Sequence, residues 1–223
     1  MQFNDGYALI IGVGGLNFDV TVRDAVALNN VLIDPNRAGY HNDNVKLLTN
    51  ADSTKENILN AFDELITKVR TKPNSTVIIY YSGHGGRNLR DKLFYLLPHN
   101  FDENNLQETG ITSNELCEKI NLIRSKRLIV FMDCCYAEGM AIVKDNQGQG
   151  LIVKSEPTEL KSILTNDYLA PIPDDVPDDL GEQLGQGSGR FYLASSKSDE
   201  TSLAPKRNDS LSIFTECLID ALS

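Results

Sequence analysis

The sequence lacks tryptophan and has only three histidines and four cysteines among its 223 residues. No apolar run approaches the 18 residues of a membrane-spanning helix, and no basic region precedes the first apolar stretch, so neither a membrane anchor nor a secretory signal is predicted. The formal net charge is −10. Such a chain repels nucleic-acid backbones and anionic lipid, which excludes nucleic acid and membranes as expected partners.

The few cysteines do not form a disulfide framework. Cys134 and Cys135 are adjacent, where a bond between them would be strained, and Cys117 and Cys217 fall in helix-like segments. We therefore expect free thiols and a reducing, cytoplasmic location. Adjacent cysteines also lack the C-x-x-C spacing of structural zinc sites, so no metal is predicted here.

Short apolar runs alternate with helical patterns along most of the chain. Buried strands are predicted at 7–13, 75–83 and 126–133, further strands at 44–49 and 190–196, and a short strand or hairpin arm at 92–98. Helices are predicted at 21–34, 53–70, 112–123 and 210–222. This alternation predicts an α/β fold, a mostly parallel central sheet flanked by helices on both faces. The length suits a single domain over residues 1–223.

Residues 140–189 break this alternation. The segment from 144 is rich in Pro, Gly and Asp, with "DNQGQG", "PIPDDVPDDLGEQ" and "GQGSG", and one short helix is predicted at 158–165. A loop of this length within a compact domain is usually functional or disordered. Its acidic part is interpreted as solvated linker, with a basic pocket on a partner as the alternative.

Two predicted strand ends carry reactive side chains. "YYSGHGG" places His84 after one strand, and "FMDCCYAEG" places two cysteines after another. The carboxyl ends of parallel strands meet at one edge of a sheet. An imidazole beside a thiol raises its thiolate fraction and protonates a leaving group, and nearby glycines leave N–H groups free for an oxyanion. The alternative is structural, because a buried cysteine usually packs as a small hydrophobe.

Together, the two motifs resemble those of the caspase-like cysteine peptidases, a clan that includes caspases, metacaspases and paracaspases. "SGHG" resembles the family's Ser-Gly-His-Gly motif, and "DCCYAEG" resembles its Asp-x-Cys-x-x-Gly motif. His84 lies 51 residues before Cys135, which fits the caspase separation of about 50. "YALIIGV", "VRDAVALNNVL", "NVKLLTN" and "YLASSKSDETS" extend the resemblance over nearly the whole chain. It implies the caspase-hemoglobinase-like fold.

The resemblance implies a role for each matching residue. Cys135 would attack the peptide carbonyl, His84 would be the acid and base, and the N–H groups of Gly85 and Cys135 would form the oxyanion hole. Cys134 would pack in the core. Asp133 would line the S1 pocket, together with Asp199; Glu200 is an alternative for the second carboxylate.

Two carboxylates in S1 would favour Arg or Lys at P1. The glutamine that true caspases carry before Ala-Cys is absent, so the closest match is to metacaspase-like (orthocaspase) members of prokaryotic type. The resemblance divides the chain into a large-subunit-like part (1–139), a linker (140–189) and a small-subunit-like part (190–223), with a truncated small-subunit-like part as the alternative. Lys144, Lys154 and Lys161 are candidate self-processing sites.

The sequence departs from the metacaspase pattern after the nucleophile, where it has Tyr136, Ala137 and Glu138. Many metacaspases need calcium, but the matching segments here hold few carboxylates, so no cofactor is predicted; Asp145 or the acidic loop would be the alternative source of ligands. The expected activity is a cysteine endopeptidase, a monomer or part of a larger chain or complex, in a stress, death or defence pathway. The alternative is a catalytically silent caspase-like module that binds a partner protein.

Overall fold

The computed structural model describes residues 2–14, 19–88, 93–134, 189–195 and 210–222. Within these ranges the strands are β1 Gly6–Gly12, β2 Val45–Thr49, β3 Thr76–Ser82, β4 His84–Arg87, β5 Phe94–Leu97, β6 Ile111–Thr112, β7 Arg127–Asp133 and β8 Gly189–Ala194. The α-helices are α1 Asp19–Ile33, α2 Lys55–Val69, α3 Leu106–Thr109, α4 Ser113–Leu122 and α5 Ile213–Ala221.

Five strands form a parallel central sheet in the order β2-β1-β3-β7-β8. The three middle strands are almost wholly buried, which explains why their sequences are continuous apolar runs rather than alternating patterns. Helices cover both faces. The predicted α/β class with a mostly parallel sheet is therefore confirmed, and each predicted strand and helix within the described residues is present, with ends that agree to within three residues.

The helices divide the core into two layers, one on each face of the sheet. On the face that we call the α2 face, α2 and α4 pack against alternate strand residues that include Ile79, Tyr81 and Cys134. On the opposite face, the α1 face, α1 and α5 pack against the intervening residues, which include Tyr80 and Phe131. Successive side chains of a strand point to opposite faces, so each central strand supplies both layers.

A second, antiparallel sheet of three short strands, in the order β4-β5-β6, lies beside the α2 face, where Phe94, Leu96 and Ile111 join its core. Only Gly83 separates the end of β3 at Ser82 from the start of β4 at His84, so the chain passes directly from the central sheet into the smaller one. The sequence "HGGR" has no strand pattern, and β4 was not predicted.

Helix α4 begins at a capping box. Thr112 is its N-cap: its hydroxyl accepts from Glu115 N, and the Glu115 carboxylate accepts from Thr112 N at 2.9 Å. This capping box satisfies two of the N–H groups that the first turn of a helix leaves unpaired. Lys55 Nζ lies 2.9 Å from Glu115 Oε1, which ties α2 to the same point.

Candidate active site

The carboxyl ends of β3 and β7 meet at one edge of the sheet. Ser82 and Asp133 are the last residues of the two strands and are partners in the parallel register. The backbone N–H of Gly83 then donates to the carbonyl of Asp133 over 3.2 Å. His84 follows Ser82 by two residues, and Cys135 follows Asp133 by two residues. Cys135 itself lies outside the described residues.

His84 opens β4 and is partly buried. Burial lowers the pKa of its imidazole below the usual 6.5, because a protonated ring would lose hydration there. The neutral ring is the form that accepts a proton, so the pKa shift suits a general base at neutral pH. The backbone beneath the ring is held by Tyr81, whose hydroxyl donates to the carbonyl of His84 at 2.9 Å and also lies 3.2 Å from the carbonyl of Leu97.

Gly85, which follows His84, and Cys134, which follows Asp133, are both buried. Gly85 is the second residue of β4, opposite Leu96, and belongs to the segment predicted to supply an oxyanion-hole N–H. Cys134 is 1% exposed and packs in the core of the α2 face, as predicted for a structural cysteine.

Asp133 lies on the opposite, α1 face, where it meets a second carboxylate. Asp133 is 4% exposed, and its Oδ2 accepts from the hydroxyl of Ser212 and from Thr215 Oγ1 at 3.4 Å. Asp24 of α1 is fully buried; its Oδ1 accepts from Ser212 N at 2.9 Å and its Oδ2 from Ser82 Oγ at 3.3 Å. We call Asp24, Ser82, Asp133 and Ser212 the acid cluster.

The two carboxylates of the acid cluster share one donor residue, Ser212, which is the N-cap of α5. Burial, and secondarily the charge of Asp133, raises the pKa of Asp24 to about 6, although bonds from Ser212 and Ser82 oppose the rise. The described residues that donate to Asp24 are all neutral, so no cation offsets its charge there. A cation beside Asp24 would stabilise the ionised form of this carboxyl.

Sequence reasoning assigned Asp133 to a pocket but missed Asp24. The described part of α1 buries Thr21, Asp24, Ala25, Leu28 and Leu32, which repeat at helical spacing. An aspartate at a buried position of an amphipathic helix, within "VRDAV", was the available signal. The other predicted site residues, Asp199 with its alternative Glu200 and the lysines Lys144, Lys154 and Lys161, lie outside the described residues.

Other features of the described residues bear on the remaining predictions. Cys117, Cys134 and Cys217 carry free thiols. In the same ranges, no three His, Cys, Asp or Glu side chains are grouped as metal ligands would be. None of the helices described is both long enough and apolar enough to cross a bilayer.

Comparisons with known proteins identify the family. The sequence profile described as "Caspase domain" matches residues 5–223. No curated protein matches the sequence significantly. A solved protein from Geobacter sulfurreducens is similar over 58% of this chain and 50% of its own, with 19% identity and a TM-score of 0.42. The match to the profile covers all the elements that form the two strand ends, and the chain belongs to the caspase domain family.

Proposed function

We propose that the protein is a cysteine endopeptidase in which Cys135 and His84 form the catalytic dyad. The observation that carries the proposal is the pairing of Ser82 with Asp133, because it aligns two strand ends from which His84 and Cys135 each follow after two residues. Membership of the caspase domain family supports cysteine peptidase chemistry.

The reaction follows from these groups. Neutral His84 takes the proton of the Cys135 thiol, and the thiolate sulfur attacks the scissile carbonyl. Backbone N–H groups of Gly85 and Cys135 stabilise the oxyanion. His84 then protonates the leaving amine as the C–N bond breaks. A water molecule, deprotonated by His84, hydrolyses the resulting thioester and releases the acid.

The acid cluster supports a preference for Arg or Lys at P1. Asp24 and Asp133 are two buried carboxylates that both accept from Ser212, and each carboxylate keeps further lone pairs that could accept from the N–H groups of a guanidinium. A planar guanidinium matches carboxylate oxygens better than an ammonium does, so Arg should be preferred to Lys. Asp199 stays a proposed further carboxylate of this pocket, with Glu200 as its alternative.

Finer assignments extend the same proposal. The peptidase is of the metacaspase-like subtype, acts in the cytoplasm within a stress, death or defence pathway, and cuts itself in the linker at Lys144, Lys154 or Lys161. The three free thiols among the described residues fit a reducing compartment. Intact-mass analysis of the wild type and of Cys135→Ala after incubation would detect self-cleavage and locate it.

The direct test uses fluorogenic peptides that differ only at P1, with Arg or Asp, each with and without calcium. Arg cleavage is expected in the wild type and should fall by at least about 10³-fold in Cys135→Ala, because the nucleophile is removed. Cys134→Ala is the matched control: it should lose some stability, since it opens a small cavity, but retain cleavage.

Two outcomes would contradict the proposal. Cleavage that survives Cys135→Ala but is lost in Cys134→Ala would show that Cys134, not Cys135, is the nucleophile. A folded wild type that cleaves neither peptide in either condition would instead favour the silent, partner-binding module.

A further inference from the structure

Tyr81 lies near the carboxyl end of β3, on the α2 face. It is the penultimate residue of β3, is buried with Cys134 in one core, and is 1% exposed. Its side chain does not end in apolar surroundings. The hydroxyl lies 2.9 Å from the carbonyl of His84 and 3.2 Å from that of Leu97.

Those two carbonyls belong to residues that face each other in the second sheet, where His84 of β4 pairs with Leu97 of β5. The hydroxyl therefore ties the beginning of the β4–β5 hairpin to the central sheet. Burial, and next the nearby Cys134, raises the pKa of Tyr81 well above its usual value of 10. The phenol therefore keeps its proton at neutral pH and acts as a hydrogen-bond donor.

Gly83 is fitted to this arrangement. A Cβ built on Gly83 would lie 2.7 Å from the Tyr81 hydroxyl oxygen and 2.9 Å from the ring carbon that bears it. A contact under 3 Å between these atoms is repulsive, so a side chain at position 83 would force the Tyr81 hydroxyl to shift. The close approach of Gly83 to the phenol fixes the turn from which the imidazole projects.

We propose that Tyr81 is a positioning residue for His84: its hydroxyl holds the His84 backbone so that the imidazole faces the strand end bearing Cys134 and Cys135. The proposal rests on the dyad proposed above. Tyr81 is on the α2 face, whereas the acid cluster is on the α1 face. Loss of the hydroxyl is therefore expected to affect the chemical step rather than P1 binding.

The test compares Tyr81→Phe with Tyr7→Phe. Tyr7 is also buried in the core of the α2 face, but it lies at the opposite end of the sheet, with its hydroxyl on Lys72 Nζ. Each variant loses one hydroxyl from a buried tyrosine. With the Arg peptide, Tyr81→Phe should lower kcat roughly ten- to a hundredfold with KM within about twofold, because small displacements of a catalytic group cost this much. Tyr7→Phe should retain the kcat and KM of the wild type.

A second readout does not require peptidase activity. The chain has three histidines, so titration of ¹⁵N-labelled imidazoles by NMR resolves His84 with His41 and His99 as internal references. In Tyr81→Phe the backbone of His84 loses its bond from the hydroxyl, and the imidazole should become better hydrated. The pKa of His84 should therefore rise toward 6.5, and the acid limb of the kcat/KM profile should move to higher pH. The pKa of His84 in Tyr7→Phe should not change.

Gly83→Ala gives a second variant in case Tyr81→Phe does not fold, since it displaces the hydroxyl without removing it. The same fall in kcat and the same rise in the pKa of His84 are expected. The proposal is overturned if folded Tyr81→Phe, or Gly83→Ala in its place, keeps kcat within twofold and an unshifted His84 titration. A wild type without Cys135-dependent cleavage would refute the dyad instead, while the His84 titration would still decide the role of Tyr81.

Discussion

The two faces of the central sheet differ most at the edge where β3 and β7 end. On the α2 face, Tyr81 and Cys134 continue the apolar core up to the edge, and the phenol bonds only to backbone carbonyls among the contacts described. On the α1 face, Ser82 and Asp133 end the same strands with polar groups that meet Asp24 and Ser212. Neighbouring residues at these strand ends therefore point to different environments: an apolar core on the α2 face and a buried pair of carboxylates on the α1 face.

This difference would let one sheet divide the work of the proposed peptidase between its two faces. Because alternate residues of a strand face opposite layers, Tyr81 of β3 and Asp133 of β7 lie on opposite faces of the sheet, and Asp24 of α1 reaches the face of Asp133. Changes on the α1 face should alter substrate choice, and changes on the α2 face should alter the rate of the chemical step.

The largest expected effect on the α1 face comes from Asp133→Asn, which keeps the shape of the side chain but removes its charge. We expect kcat/KM for an Arg peptide to fall about a hundredfold, since a charge-assisted pair contributes about 3 kcal/mol more than its neutral replacement. Alkylation of Cys135 by iodoacetamide should change little, because the dyad is intact. Equal losses in cleavage and in alkylation would contradict the division of labour between the faces.

A smaller effect is expected from Asp24→Asn, which also gives a signature in stability. Folding raises the pKa of Asp24 from 3.8 to about 6, so the folded state favours the protonated carboxyl. The stability that this group contributes is complete below pH 3.8 and is lost as the pH rises through about 6. Relative to the wild type, Asp24→Asn should therefore gain about 2 kcal/mol in free energy of unfolding between pH 4 and pH 7.

Denaturant unfolding at a series of pH values would measure this gain. KM for the Arg peptide should rise about tenfold in the same variant, since half of the carboxylate pair has lost its charge. A constant difference in stability between the variant and the wild type from pH 4 to pH 7 would show that Asp24 does not titrate in this range.

The smallest effect is expected at Ser195, which follows β8 directly. Its N–H donates to the carbonyl of Met132 at 2.9 Å, but its buried Oγ has no hydrogen-bond partner among the residues that the structure describes. Removing an unpaired buried hydroxyl costs nothing, so Ser195→Ala should change the free energy of unfolding by less than about 0.5 kcal/mol or stabilise the protein slightly. Thermal unfolding measures this, with Ser82→Ala, whose hydroxyl bonds Asp24, as the destabilised counterpart. A loss above about 1 kcal/mol at Ser195 would mean that its hydroxyl has a partner in solution.

Much of this fold was predictable because its central strands are buried on both faces. Continuous apolar runs such as those of β1, β3 and β7 predict strands from the sequence alone, without knowledge of the strands that pair with them. Strand β4 was not predictable in this way, since His84, Gly85 and Gly86 have no strand propensity and are extended only because β5 pairs with them.

The sequence motifs predicted which types of residue form the site, but they did not predict the contacts between residues that are distant in sequence. Asp133 was assigned from its motif, whereas Asp24 is 109 positions away in sequence, and only the packing of α1 on the sheet brings it near. Tyr81 was interpreted as part of an apolar strand, and nothing in "IIYYSG" shows that its hydroxyl returns to the carbonyl of His84. Both contacts depend on tertiary structure.

The contacts of β8 and of the segment after it determine whether the two fragments of a cut chain would stay together. Six residues of β8 pair in register with β7, Arg23 Nη2 lies 3.2 Å from the carbonyl of Ser210, and Ser212 binds both aspartates of the acid cluster. These contacts are noncovalent and lie outside 135–188. A chain cut at any of the three candidate lysines should therefore run as two fragments on a denaturing gel but elute as a single particle in gel filtration.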